Sequence, residues 1–324
     1  MRVIVTGASA PLGAAIIEGL LASSDVELVL AVDGRADGAR RDPRVLHRVV
    51  DLTHPREVHD LIHGDGREHA IDAIVHTAQH RAAHDGGRRV HAQNVEAVRA
   101  LLLACEHHPT IHRFVQRSFG EVYAQHHATT TLIDEDAPLE FEPAVPQWLR
   151  DRVEADLTTC AHQGGHLQIA VLRCAELLAP ETGSQLWDYL SSRVCLRPLG
   201  FDPMINVLAL ADAAAAFLAA LHSSAIGVFN IPGADSLPLS EAIVESNRAD
   251  IPIPGPLMAP LYKLRHAMAG FEFRYDLNVR RFHFGGVLDG TRARRELGYL
   301  PTSHVTWPRP WWRTLLERLA AAQS

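Results

Sequence analysis

The strongest constraint on the fold sits in the first 33 residues. A short β-branched run, Val3–Thr6, leads into the turn Thr6-Gly7-Ala8-Ser9-Ala10-Pro11-Leu12-Gly13. That turn opens a helical segment, Pro11–Leu21, and a second strand-like run, Leu28–Val32, ends at Asp33, 20 residues after Gly13. Strand, glycine turn, helix, strand and acid, in that order, make the pattern of a dinucleotide site. The glycines let the backbone turn tightly beside a diphosphate, and the acid accepts hydrogen bonds from an adenosine ribose. A carboxylate there repels a 2′-phosphate, so NAD is expected over NADP, with Arg35 the nearby residue that could meet such a phosphate. The competing reading is a plain βα turn with no ligand.

The alternation continues through the first half. Strand-like runs are Val45–Val50, Ala73–His76, Arg113–Gln116 and Leu167–Leu172; helical stretches are Pro55–Ile62, Val90–Glu106 and Arg150–His162. Such alternation implies βαβ units and a parallel sheet covered on both faces. From about residue 175 the texture changes to short elements rich in Pro and Gly. The expected fold is α/β: a doubly wound parallel (Rossmann) sheet over 1–175, with 205–235 returning to it, and a smaller C-terminal substrate domain over 176–324.

Composition narrows the functional classes. The 324 residues are 47% hydrophobic and 21% charged, a globular composition. The longest near-apolar stretch, Leu208–Leu221, is too short to span a bilayer, and no leader pattern opens the chain. A net charge of −7 argues against nucleic-acid binding. Cys105, Cys160, Cys174 and Cys195 are scattered without metal-ligand spacing, which fits a reducing cytoplasm.

Ordered matches over some 300 residues carry a resemblance. Thr6-Gly7 with Gly13, Val49-Val50-Asp51-Leu52, Val75-His76-Thr77-Ala78, Asn94-Val95, Phe114 to Tyr123, Leu172-Arg173, and Glu296-Leu297-Gly298-Tyr299-Leu300-Pro301 follow one another as in a known family. The chain resembles the extended short-chain dehydrogenases/reductases, the NAD-dependent epimerase/dehydratase group. The resemblance implies a nicotinamide cofactor held by Gly7, Ala10, Pro11, Leu12, Gly13, Asp33, Asp51, Leu52, Ala78, Asn94 and Arg152. It also implies a small-molecule ligand and a homodimer paired through the helices around 94–106 and 148–162, with Val98, Leu101, Leu102, Val153 and Leu157 as their apolar residues. Ala10 replaces the middle glycine, and Pro11 has no N–H to offer a phosphate.

The catalytic positions depart further. Family members use a Ser/Thr and a Tyr-x-x-x-Lys helix turn, which sets Tyr and Lys on one helix face. Here those positions carry Phe119, Trp148 and Arg152. An indole N–H only donates, and arginine stays protonated, so neither joins a proton relay. The chain's single lysine, Lys263, lies far along the sequence. Ser118, next to Phe119, is expected to point to the other side of its strand. Loss of the usual chemistry is the favoured expectation, leaving a binding, sensor or partner protein. The rival is an active oxidoreductase or epimerase, acting on a sugar nucleotide or apolar alcohol with relocated groups such as Glu121, Tyr123, Ser118 or a histidine.

Three further features stay open. His80 and His84 would share a face if their loop were helical, as metal ligands do, but with 20 histidines in the chain chance spacing is favoured and no metal is expected. The Trp307–Arg313 segment and the following leucines close the substrate domain in preference to resting on a membrane. The aromatic-basic stretch Phe271–Phe284 is a candidate lining for an apolar substrate pocket.

Overall fold

The computed structural model describes residues 1–35, 42–126, 131–269 and 273–308, with side chains omitted at 268–269. Seven strands form the central sheet: β1 (Arg2–Thr6), β2 (Leu28–Asp33), β3 (Val45–Val49), β4 (Ala73–His76), β5 (Arg113–Phe119), β6 (Gln168–Cys174) and β7 (Gly227–Ile231). Their spatial order is β7-β6-β5-β4-β1-β2-β3 and every pairing is parallel. The order reverses between β1 and β4. In such sheets that switch point leaves a crevice at the carboxyl ends of the strands, where ligands bind.

Alternation along each strand builds the two faces. Val3 and Val5 of β1 face one core with Ile16, Leu20 and Phe217. Ile4, between them, faces the other core with Leu61, Val98, Leu101 and Leu102. Four helices matter below: α1 (Pro11–Ala22), α2 (Ala97–Cys105), α3 (Gln147–Ala161) and α4 (Leu210–His222). Helix α1 packs on α4 and α2 on α3. Val98, Leu101, Leu102 and Val153, expected at a dimer face, are buried in these cores instead. On the outer faces of α2 and α3, Leu103 and Leu157 are the exposed apolar residues.

The chain returns to the large sheet over a narrower stretch than expected. Met204–Leu208 belongs to a separate three-stranded sheet with Glu176–Leu177 and Asp235–Pro238; within 205–235 α4 and β7 rejoin the Rossmann layer, and Ala293, Leu297 and Tyr299 later join its core. The C-terminal region has a core of its own, in which Tyr189, Tyr262, Phe273, Tyr275 and Phe282 pack ring against ring. The expectation that the 271–284 aromatics line a substrate pocket is therefore corrected for Phe273, Tyr275 and Phe282, which are interior residues. Trp307 packs on the same cluster, while the segment from Arg309 onward lies outside the described residues.

Candidate functional site

The crevice is open where the turn after β1 meets β2. One compartment, of about 690 Å³, is lined by Gly7, Ser9, Asp33, Asp51, Leu52 and Arg89, among others. A second, of about 290 Å³, continues past Ala10, Pro11, Leu12 and Ala78 to Arg81 and Arg117. Gly7 has φ +70°, and a Cβ there would lie 2.9 Å from the Ala78 backbone; a Cβ on Gly13 would lie 2.2 Å from the Gly7 carbonyl oxygen. Both glycines are thus required for this turn to cross so close to β4 and α1.

Helix α1 starts at Pro11, with no side-chain cap from Ala10. Its geometry leaves the N–H groups of Leu12 and Gly13 without intrahelical acceptors at the positive end of the helix. One Asp33 oxygen accepts the Ser9 N–H at 2.6 Å and the other the Gly34 N–H at 3.2 Å. Ser9 was not singled out from the sequence; its backbone anchors the acid beside the turn. Asp51 is held by the Thr53 hydroxyl at 2.6 Å and N–H at 2.9 Å, the hydroxyl being the larger cause of its lowered pKa. The crevice fits a dinucleotide: the first turn of α1 reaches the inner compartment through Pro11 and Leu12, and Asp33, a ribose-seeking carboxylate, lines both compartments.

Two expected cofactor residues lie elsewhere. The Asn94 carboxamide accepts the His80 N–H at 2.9 Å, so it pins the loop after β4 and lines neither crevice compartment. Arg152 also lies behind that loop, in a small cavity shared with Trp148. The loop itself is not helical. His80 meets Asp85 at 2.7 Å, and His91 meets Asp151 at 3.0 Å. The idea of His80 and His84 on one helix face is therefore withdrawn. Asp65, Glu68 and His69 have ligand-like spacing, but Arg48 occupies Asp65 at 2.8 Å.

Phe119, Trp148 and Arg152 come together as one stack. The Arg152 guanidinium lies 3.6 Å from the Phe119 ring centroid and 4.7 Å from that of Trp148. Arg152 Nη1 is also 3.5 Å from Glu121 Oε1. Glu121 is no solvated loop carboxylate: its side chain is 11% exposed and it faces Arg281 at 3.4 Å as well. Arg281 in turn pairs with Glu176. Burial raises the Glu121 pKa, an effect that its neighbour Glu176 reinforces against the pull of Arg152 and Arg281. Burial pushes Glu176 the same way, but Arg281 and the Ser184 hydroxyl hold it down to about 2. Glu176 and Arg281 escaped the sequence reading because they lie 55 and 160 positions from Glu121. The signal available was an acid placed just after β6 and an arginine beside a run of aromatics.

The remaining catalytic candidates are committed elsewhere. Ser118 donates to Asp156 on the far side of the strand, as its register requires. Asp156 holds Arg173 at 2.7 Å, and Arg173 donates at 3.0 Å to the Tyr123 hydroxyl. Tyr123 donates at 2.7 Å to Asn230, and burial pushes its pKa to about 12. The only lysine, Lys263, is exposed on helix Gly255–Ala269. Beyond Glu121 and Trp148 lies a further cavity of about 260 Å³, also lined by Leu149, Asn278, Arg280 and Arg281.

The model of the NAD dependent epimerase/dehydratase family matches residues 3–231, most of the chain. The chain belongs to that family. Uncharacterized proteins of Mycobacterium tuberculosis and Mycobacterium bovis are 28% identical over 309 residues, covering 92% of this chain and 80% of theirs. Among solved structures, dTDP-glucose 4,6-dehydratase from Bacillus anthracis in complex with NAD superposes with a TM-score of 0.69 at 16% identity, covering 94% of this chain and 92% of that one. UDP-glucuronic acid 4-epimerase from Bacillus cereus, with UDP-glucuronic acid and NAD, gives 0.70 at 15%, covering 94% and 95%. DesIV, a dTDP-glucose 4,6-dehydratase from Streptomyces venezuelae with NAD bound, gives 0.70 at 19%, covering 94% and 93%. At these identities the likeness establishes the fold.

Proposed function

We propose that this family member binds a nicotinamide dinucleotide, NAD in preference to NADP, and acts as a binding or sensing protein without the family's Ser-Tyr-Lys chemistry. One observation carries the reading. The three positions where that chemistry resides are occupied by Phe119, Trp148 and Arg152, and these side chains consume one another in a cation–π stack. An indole N–H donates but cannot take up a proton at neutral pH, which supports the reading for Trp148. Adenosine-side residues Asp33 and Asp51 remain on the open crevice, so binding outlives the chemistry.

A second reading keeps catalysis through Glu121, favoured by its burial at the mouth of the substrate-side cavity. The test is calorimetric titration with NAD and NADP, together with stopped-flow absorbance against sugar nucleotides and hydroxyl compounds. The proposal expects NAD to bind more tightly than NADP, and no turnover. Turnover near 1 s⁻¹, an ordinary enzyme rate, that survives Trp148→Phe and disappears in Glu121→Gln would establish the second reading instead.

The assembly we propose is a homodimer paired through the exposed faces of α2 and α3, which carry Leu103 and Leu157. None of the four cysteines is disulfide-bonded, in keeping with a reducing cytoplasm. Among the described residues no helix is long and apolar enough to cross a membrane.

A further inference from the structure

Arg117 occupies the carboxyl end of β5 and lines the inner compartment of the crevice with Gly7, Leu12 and Arg81. Among the described residues its guanidinium has no hydrogen bond and no ion pair, and it lies over the Phe119 ring, 4.8 Å from the centroid. Its Nε is sealed from solvent without a partner. The buried glutamates nearby do not neutralise it, because Glu121 is shared by Arg152 and Arg281, and Glu176 is taken by Arg281. Arg81, the other cation of the compartment, is exposed and therefore screened, and donates Nη1 to the Glu181 carbonyl oxygen at 2.8 Å. The acids lining this compartment are Asp33, fixed to the turn at its far end, and Glu181, which is exposed and therefore screened. The inner compartment thus keeps one partly buried cation, Arg117, that no acid pairs with among the described residues.

Resting on the dinucleotide reading above, we propose that this unpaired cation makes the crevice selective for the reduced cofactor, NADH over NAD⁺, with Arg117 as the discriminating charge. In a doubly wound sheet the two nucleoside halves lie on opposite sides of the switch point. The acid at the end of β2 marks the adenosine side, and β4–β5, where Arg117 stands, marks the nicotinamide side. The oxidised nicotinamide ring bears a positive charge and the dihydronicotinamide ring bears none. The adenosine and diphosphate are identical in the two, so their interactions cancel in the comparison. A like charge held several ångströms away in a partly buried site is expected to weaken NAD⁺ relative to NADH by on the order of tenfold. A protein so built reports the ratio of reduced to oxidised cofactor without turning either over.

The test is calorimetric titration of the full chain with NADH, NAD⁺ and ADP-ribose, which lacks the ring, in wild type and Arg117→Gln. NADH binding about tenfold tighter than NAD⁺, falling to within about twofold in Arg117→Gln, supports the proposal. ADP-ribose is expected to escape the penalty and bind more tightly than NAD⁺. Wild-type NAD⁺ that binds as tightly as NADH overturns the selectivity while leaving the dinucleotide reading intact. A preference that survives in Arg117→Gln overturns the role of Arg117. Failure of all three ligands to bind sinks the dinucleotide reading and this inference with it. Circular dichroism checks the fold of the variant, and Arg117→Met replaces it if it is disrupted; the wild-type ratio alone already refutes or sustains the selectivity.

Discussion

Asp156→Ala tests the buried network that holds Ser118, Arg173 and Tyr123. The Asp156 side chain is fully buried and that of Arg173 is 5% exposed. Asp156 accepts from Arg173 Nη2 at 2.7 Å and Nε at 3.0 Å, and from the Ser118 hydroxyl. Without it, Arg173 keeps only the Nη1 contacts to the Tyr123 hydroxyl at 3.0 Å and the Glu135 carbonyl at 3.4 Å. A buried guanidinium stripped of its counterion costs about 3–5 kcal/mol. That is a large part of the roughly 5–15 kcal/mol that holds a typical protein together. With an unfolding entropy of about 2.1 cal/mol/K per residue, a chain of 324 residues shifts by roughly 1.5 °C per kcal/mol, so the midpoint of thermal unfolding should fall by about 4–7 °C. Adding Arg173→Met removes the orphaned charge and should recover part of the loss, since a well-packed apolar pair often replaces a buried ion pair at little cost. Glu27→Ala, which breaks the solvent-exposed pair with Arg2, serves as control and should leave the midpoint unchanged. A loss below about 1 kcal/mol in Asp156→Ala, or a double variant less stable than the single one, would refute the argument.

Two further outcomes follow from the same structure. His76 is fully buried beside the Thr6 hydroxyl at 2.7 Å, and burial lowers its pKa to about 4. The unfolded chain takes up that proton near pH 6.5, so the stabilisation is complete above pH 6.5 and is lost as pH falls toward 4, by about 3 kcal/mol. Urea midpoints at pH 7 and pH 4.5 should differ less in His76→Asn, and an unchanged difference would contradict the assignment. For assembly, light scattering should give twice the 35.6 kDa chain mass, falling to the monomer in Leu103→Asp or Leu157→Asp; a wild-type monomer at micromolar concentration would exclude the proposed dimer.

The Rossmann half was legible because its signals are local. Each buried parallel strand is a short apolar run bounded by polar residues, and Asp33 falls at a strand end where a period-based reading places it. Edges were less legible. Strand β5 continues three residues past Gln116 to Phe119 because β6 pairs with it along its whole length. Helix α3 begins at Gln147, earlier than Arg150, because Pro146 supplies a preset φ at its N-cap. The π-helical turns at Leu61–Asp65 and Ala92–Glu96 leave no mark on a 3.6-residue period. In the small domain, pairings such as Cys195 with Asp250 join segments whose proximity no short window reveals. The site divides the same way: the turn and its acid are contiguous, whereas the Glu121–Arg281–Glu176 cluster exists only once the sheet and the small domain are assembled.

The stack of Phe119, Arg152 and Trp148 couples three positions, so that none changes alone without cost. Restoring lysine at 152 alone would set a compact, strongly hydrated ammonium against two ring faces shaped for a flat guanidinium. Restoring serine at 119 alone would take one ring face from Arg152 and the ring that Arg117 lies against. Restoring tyrosine at 148 alone would bring a hydroxyl to a position where the indole nitrogen already finds no partner. Each single substitution loses packing and supplies no proton relay, because the other two positions stay as they are. On the proposed reading, no single substitution installs the family's Ser-Tyr-Lys set, and the arrangement behaves as a ratchet.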